Sequence, residues 1–342
     1  MKDALAPLST FGIGSVPYVK GENACGKIFQ RFDIPFWPQY PARSPRENFV
    51  FQFLSSFPGL EVSGQSVSFN EEVYERQAGN HRERLAEAFL KKSFLDFEPP
   101  VDWTLGYSQF KASLEEKRGL GKKTVKLQVT GLGTVWRSFF SKRVSSGNRG
   151  QMLLDLCDTL VASGLAQIQM VQSYGRNPFM MIDEPLLGEQ TRFGLEKMIR
   201  FFKEAGALVG LHVCSDLQWE SFEGLKLDVF HFDLSRLQTL PTERANVLKI
   251  VLRRGGWIAW GVIPTDLKLG LKVQDFSPIV LNWWEEIFRE NASFKEIKER
   301  SLLTPACGTG TLDPLGDKVV WRSLKLTKKS LDSKKWEGIL HD

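Results

Sequence analysis

From about residue 120 onward, short apolar runs rich in β-branched and aromatic residues alternate with amphipathic stretches. That alternation restricts the chain to βαβ units around a parallel sheet. The runs are Thr124–Thr130, Phe179–Glu184, Ala207–Cys214, Leu227–Asp233, Trp257–Ile263 and Leu302–Cys307. Between them, Gln151–Leu165, Arg192–Ala205, Thr242–Arg254 and Pro278–Glu290 repeat their apolar residues at helical spacing. Two further runs, Thr10–Ser15 and Asp33–Trp37, precede a charged region from Asn70 to Gly119 that reads as helices, with a hairpin at Glu61–Phe69. Six strands and two more predict an α/β fold, a (β/α)8 TIM barrel with an elaborated N-terminal half. No internal repeat or low-complexity tract divides the 342 residues, so one domain over 1–342 is expected, with 61–119 as the helical and hairpin elaboration.

In such barrels the reactive side chains gather where strands end and the following loops begin. The polar residues of this chain fall there. Ser15 follows Gly12-Ile13-Gly14, Thr130-Gly131 ends one run and Asp183-Glu184-Pro185 the next; His212 with Cys214, Asp233 and Cys307 end three more. A doubly wound open sheet is the alternative architecture, but the glycine-rich phosphate loop it requires after its first strand is missing.

Several function classes are excluded by composition. No apolar stretch approaches the roughly 20 residues that cross a bilayer, and Met1–Thr10 has no basic segment followed by an apolar core, so a cytoplasmic protein with no membrane partner is expected. The formal charge of +5 is scattered, apart from Lys325, Lys328, Lys329, Lys334 and Lys335 near the C-terminal end. That cluster reads as a solvated helix face, and no nucleic-acid partner is expected. The four cysteines, Cys25, Cys157, Cys214 and Cys307, lack the compact spacing of a disulfide framework and are expected as free thiols or metal ligands.

His212-Val213-Cys214 is the sharpest local signal. Side chains two residues apart leave one face of a strand, so an imidazole and a thiol converge, and two soft ligands suggest zinc. A core histidine beside a buried cysteine would give the same three letters. Cys307, in Pro305-Ala306-Cys307-Gly308, ends a strand before a glycine-rich turn, where backbone approaches a ligand closely. Asp233 shares a strand face with Val229 and His231 and offers a carboxylate, or else caps the next turn through Ser235. His231 is the rival ligand, one layer deeper. Asp183 and Glu184 offer an acidic pair to a substrate ammonium or to acid–base work, or else neutralise a helix N-terminus.

Taken in order, Ile13-Gly14-Ser15-Val16-Pro17, Thr130-Gly131, Ile182-Asp183-Glu184-Pro185, His212-x-Cys214, Asp228-Val229 with Ser235-Arg236, and Cys307-Gly308 resemble the C-terminal catalytic barrel of cobalamin-independent methionine synthase. That family belongs to the uroporphyrinogen decarboxylase and methionine synthase superfamily. Here it would be a short, single-barrel core form. The resemblance implies a zinc ion held by His212, Cys214 and Cys307, with Asp233 standing where the family has a glutamate. It implies Ser15 for an amino acid's carboxylate and Asp183 for its ammonium. Glu184 is expected beside Asp183 in substrate binding, and Arg43 is a candidate for an anionic group or a surface ion pair.

Two departures bear on the methyl donor. The family's second, folate-binding barrel finds no room in this length, and the histidine after the seventh strand is replaced by Gly261-Val262-Ile263-Pro264-Thr265-Asp266-Leu267. Both favour methylcobalamin or a methylated corrinoid protein as donor, because reduced cobalt leaves without a proton. The resemblance therefore implies a zinc-dependent methyltransferase acting on homocysteine to give methionine. The competing expectations are a different thiol such as a coenzyme M-like sulfonate, a decarboxylase of the uroporphyrinogen type, and a zinc-containing, non-catalytic partner of a corrinoid protein.

Overall fold

The computed structural model describes residues 4–18, 24–116, 123–215, 222–235, 242–266, 272–288 and 294–333. Its centre is one sheet of six parallel strands in chain order: β3 (Thr124–Thr130), β4 (Asn177–Asp183), β5 (Leu208–Val213), β6 (Val229–Asp233), β7 (Trp257–Ile263) and β8 (Ser301–Pro305). Every neighbouring pair is parallel, and the ladder has one irregularity, between Gly261 and Ile263 against β8. Each predicted run is a strand within two residues of its expected ends. The helices α5 (Arg149–Ser173), α6 (Arg192–Glu204), α7 (Thr242–Arg253), α8 (Ser277–Phe288) and α10 (Pro314–Asp332) follow their strands, and a short α9 (Phe294–Glu299) precedes β8. Glu290, the expected end of α8, lies outside the described residues, as do Arg236, Leu267, Lys334 and Lys335.

The first two expected strands are not regular strands. Residues 8–16 and 34–39 form no regular strand and touch their neighbours through single parallel bridges, Thr10 with Leu303, Ser15 with Gln39, and Phe36 with Lys126. Backbone bonds reinforce them: Leu8 N to Ser301 O at 2.7 Å, Ile34 N to Thr10 O at 3.0 Å and Lys126 N to Pro35 O at 2.8 Å. These segments thus link the two edges of the sheet, β8 and β3. The ladders break for a chemical reason: Pro35 and Pro38 have no N–H to donate. Gly12 has a second task, since a Cβ there would lie 2.3 Å from the Phe36 ring.

Side chains on the concave face of the sheet form an apolar floor of Phe11, Ile13, Ile34, Phe179, Met181, Val229, Trp257, Ala259 and Leu302. The opposite face packs on the helices. Following the same alternation toward the C-terminal strand ends, the concave face turns polar: Lys126, Gln128, Asp183, His212, His231 and Thr304, all buried. The early elaboration is a hairpin, β1 (Leu60–Ser63) with β2 (Ser66–Phe69), followed by α2 (Glu71–Lys91) and α3 (Leu105–Glu116), with α1 (Ala24–Arg31) preceding it. Tyr74 and Arg82 on α2 bind Asp155 of α5, with the Tyr74 hydroxyl at 2.7 Å. Among the described residues no helix is long and apolar enough to cross a membrane.

Candidate metal centre and substrate pocket

The parallel register sets Asp183 of β4 beside His212 of β5, and His212 beside His231 of β6. Cys214 follows β5 directly and Cys307 lies two residues beyond β8. One ligand atom each from His212, Cys214 and Cys307 falls within 4.8 Å of the other two. No other group of three such side chains is found among the described residues. The residues fit a soft cation. Zinc takes sulfur at about 2.3 Å and nitrogen at about 2.0–2.1 Å, so its ligands must lie within roughly 4 Å of one another.

The electrostatics agree. The two thiols share a hydrogen bond that holds the Cys214 proton and lowers the Cys307 pKa, while burial and the carboxylates of Asp183 and Asp233 oppose ionisation at both sulfurs. Burial keeps both imidazoles neutral: His231 is pushed down to about 3, and His212 falls well below its usual range.

His231 does not join the group of three. Its two ring nitrogens are engaged, Nδ1 with His212 Nδ1 at 2.6 Å and Nε2 with Thr304 Oγ1 at 2.7 Å. Asp233 stands outside that group as well, and its Oδ1 accepts from Ser235 N at 2.9 Å and from the Ser235 hydroxyl at 2.6 Å. That is the turn-capping alternative of an aspartate after a strand.

Asp183 is 93% buried, and its Oδ1 has no hydrogen-bond partner among the described residues. Burial raises its pKa to about 7, with Lys126 opposing and Glu184 adding to the rise. Lys126, fully buried and lowered by burial to about 8, donates to Ile13 O at 2.5 Å and to Gln128 Oε1 at 2.7 Å. This lysine is not among the residues that a strand-end position would single out. The period-2 placement of Lys126, Gln128 and Thr130 in an apolar strand was the available signal for a polar inner face.

Glu184 is committed elsewhere. Its carboxylate accepts from Gly133 N at 2.8 Å and Thr134 Oγ1 at 2.5 Å, at the start of α4 (Leu132–Val135). A Cβ at Gly131 would lie 2.2 Å from Glu184 Oε2, so Thr130-Gly131 and Glu184 form one packing unit. Arg43 pairs with Glu47 and reaches Asp102 O at 3.3 Å. Ser15 lies under the Cys307 loop, its Oγ accepting from Gly310 N at 3.3 Å and its carbonyl from Thr309 N at 2.8 Å. Gly308 allows this contact, since a Cβ there would sit 2.0 Å from Ser15 Oγ. Cys25 and Cys157 are buried apart from the cluster, and burial pushes Cys157 up to about 12.

No protein-family model matches the chain, and no curated protein matches it. Among solved structures, a B12-independent methionine synthase from Shewanella sp. W3-18-1, in complex with selenomethionine, aligns with a TM-score of 0.54 at 12% identity, over 95% of this chain and 98% of that one. The N-terminal domain of a proposed aldolase from Bacteroides vulgatus aligns over 68% of this chain and 78% of that one, at 14% identity and a TM-score of 0.27. Over nearly its whole length, the chain is similar in fold to the Shewanella methionine synthase structure, and its own His212, Cys214 and Cys307 meet at the C-terminal end of the shared sheet.

Proposed function

We propose that this chain is a zinc-dependent methyltransferase that methylates the thiol of homocysteine, built as a single domain on a (β/α)8 barrel that the segments 8–16 and 34–39 close. The observation that carries the reading is the convergence of three soft ligand atoms within 4.8 Å, next to a buried carboxylate with one oxygen unpartnered. The likeness of fold to a methionine synthase supports it.

Zinc at His212, Cys214 and Cys307 supplies one thing, a lowered pKa for an incoming thiol whose free value is about 8.5. The chain's residues do the rest. Asp183 offers its free Oδ1 to the substrate ammonium, and Lys126 holds that carboxylate toward its ionised form. Ser15 offers a hydroxyl beside the Cys307 loop for the substrate carboxylate. Asp233 is assigned as the fourth ligand, with Ser235 fixing its rotamer. The sulfur lone pair then forms the carbon–sulfur bond as the donor–carbon bond breaks, and the displaced electron pair stays on the donor.

We assign the donor to a methylated corrinoid, free or protein-bound, because the loop after β7 has no histidine to protonate a folate leaving group. The similar solved structure is named as B12-independent, which points the other way. Both donors therefore belong in the assay. Purified protein is expected to bind about one zinc per chain, and to methylate homocysteine from methylcobalamin rather than from methyltetrahydrofolate. Cys307→Ala is expected to lose at least about 100-fold in zinc affinity, beyond what loss of an indirect support costs. Asp183→Asn is expected to raise KM for homocysteine and to leave thiols without an ammonium group unaffected. Zinc far below one equivalent, or unchanged turnover in Cys307→Ala, contradicts the reading.

A further inference from the structure

Four groups behind the candidate metal site form a continuous hydrogen-bonded chain. Thr304 Oγ1 lies 3.2 Å from Trp260 O. A carbonyl only accepts, so the threonine hydroxyl donates its single proton there. Thr304 Oγ1 must then accept from the ring nitrogen 2.7 Å away, His231 Nε2, which also lies 3.3 Å from a second pure acceptor, Pro305 O. Two acceptors facing one nitrogen place a proton on His231 Nε2. The remaining nitrogen, Nδ1, then holds a lone pair, and it faces His212 Nδ1 at 2.6 Å. One proton occupies that contact, and it belongs to His212 Nδ1. His212 Nε2 is left as a lone pair.

We propose that His231, backed by Thr304 and the Trp260 carbonyl, is the positioning residue of the metal centre: it fixes His212 in the Nδ1–H tautomer and sets the ring plane, so that Nε2 is the atom offered to a metal with Cys214 and Cys307. This rests on the metal reading of the site given above. The principle is general, since a metal-bound histidine needs an acceptor for its other N–H to hold tautomer and orientation. Here the acceptor is a second histidine rather than a carboxylate. That choice places no extra negative charge in a pocket that already holds two thiols and Asp183. The packing leaves the pair little freedom. The two rings sit 4.5 Å apart at 40°, both are buried, and a Cβ on Gly261 would lie 3.1 Å from His231 Nε2.

The test has two readouts. In the metal-free protein, long-range 1H–15N correlation spectra of the imidazoles should show His212 protonated at Nδ1 and His231 at Nε2. His231→Leu removes the acceptor and should weaken zinc binding 10- to 100-fold in a chelator competition, whereas His231→Gln, which restores an acceptor oxygen, should recover most of that loss. Thr304→Val should shift the tautomer signals of both rings while retaining the fold, as followed by circular dichroism. A His212 protonated at Nε2, or His231→Leu and His231→Gln binding zinc equally, overturns the proposal. Cys307→Ala separates this from failure of the metal reading: if it binds zinc as tightly as the unaltered protein, the metal site itself is wrong and the proposal falls with it.

Discussion

Lys126 and Asp183 are both buried; the lysine donates to Ile13 O and Gln128 Oε1, and its field opposes the rise of the Asp183 pKa to about 7 that burial causes. Removing the lysine leaves Ile13 O and Gln128 Oε1 without their donor and withdraws that field, at a cost of about 1–3 kcal/mol. Lys126→Met is therefore expected to lower the unfolding free energy in urea by about that amount, and the double variant with Asp183→Asn to recover part of it. Additive losses would show that the two do not form an energetic pair. Residue-level chemistry was partly legible in the sequence. His212 and Cys214 announce themselves because period-2 spacing makes two soft ligands converge, whereas Glu184 sits next to Asp183 in sequence and on the opposite face in space, bound to Gly133 and Thr134. Adjacent residues on a strand end cannot both face one pocket.

At the scale of elements, α2 is tied to α5 by a buried histidine. His81 Nε2 lies 2.8 Å from Thr159 Oγ1, whose proton goes to Asp155 O at 2.7 Å, and His81 Nδ1 has no partner among the described residues. A second proton on this ring would be buried without an acceptor. Burial accordingly lowers the His81 pKa from 6.5 to about 4, with Asp155 opposing and Arg84 and Arg82 adding to the fall. The folded state then binds fewer protons than the unfolded state between these two values. Stability contributed by the neutral ring is complete above pH 6.5 and is lost as pH falls toward 4, by on the order of 3 kcal/mol. His81→Gln is expected to flatten that part of the stability–pH curve, and an unchanged slope would show that this ring is not its source. The central strands were legible because each is a continuous apolar run bounded by helical periodicity. The first two were placed by their composition but not their form, because Pro35, Pro38 and the glycines around Ile13 leave single bridges where ladders were expected.

On the scale of the whole molecule, the early elaboration is seated against the segment that links β3 to residues 8–16. The contact is backbone to backbone: a Cβ on Gly106 of α3 would lie 1.7 Å from Pro38 O. In a free helix Gly→Ala gains up to about 1 kcal/mol; here Gly106→Ala is expected to cost about 1–3 kcal/mol by overpacking, and a gain in stability by thermal unfolding would contradict this seating. The order of strand ends in the sequence foreshadowed which residues meet, but not the depth at which they meet. His231 lies on the same face as Asp233 and two residues earlier, so parity could not say which of them faces His212. Only the register of β5 against β6, His212 beside His231, decides it. X-ray absorption at the zinc edge of the zinc-loaded protein reads directly whether His212, Cys214 and Cys307 hold the metal. Two sulfur neighbours at about 2.3 Å and a nitrogen at about 2.0–2.1 Å are expected, with one sulfur lost in Cys307→Ala; a shell of nitrogen and oxygen alone would rule this metal centre out.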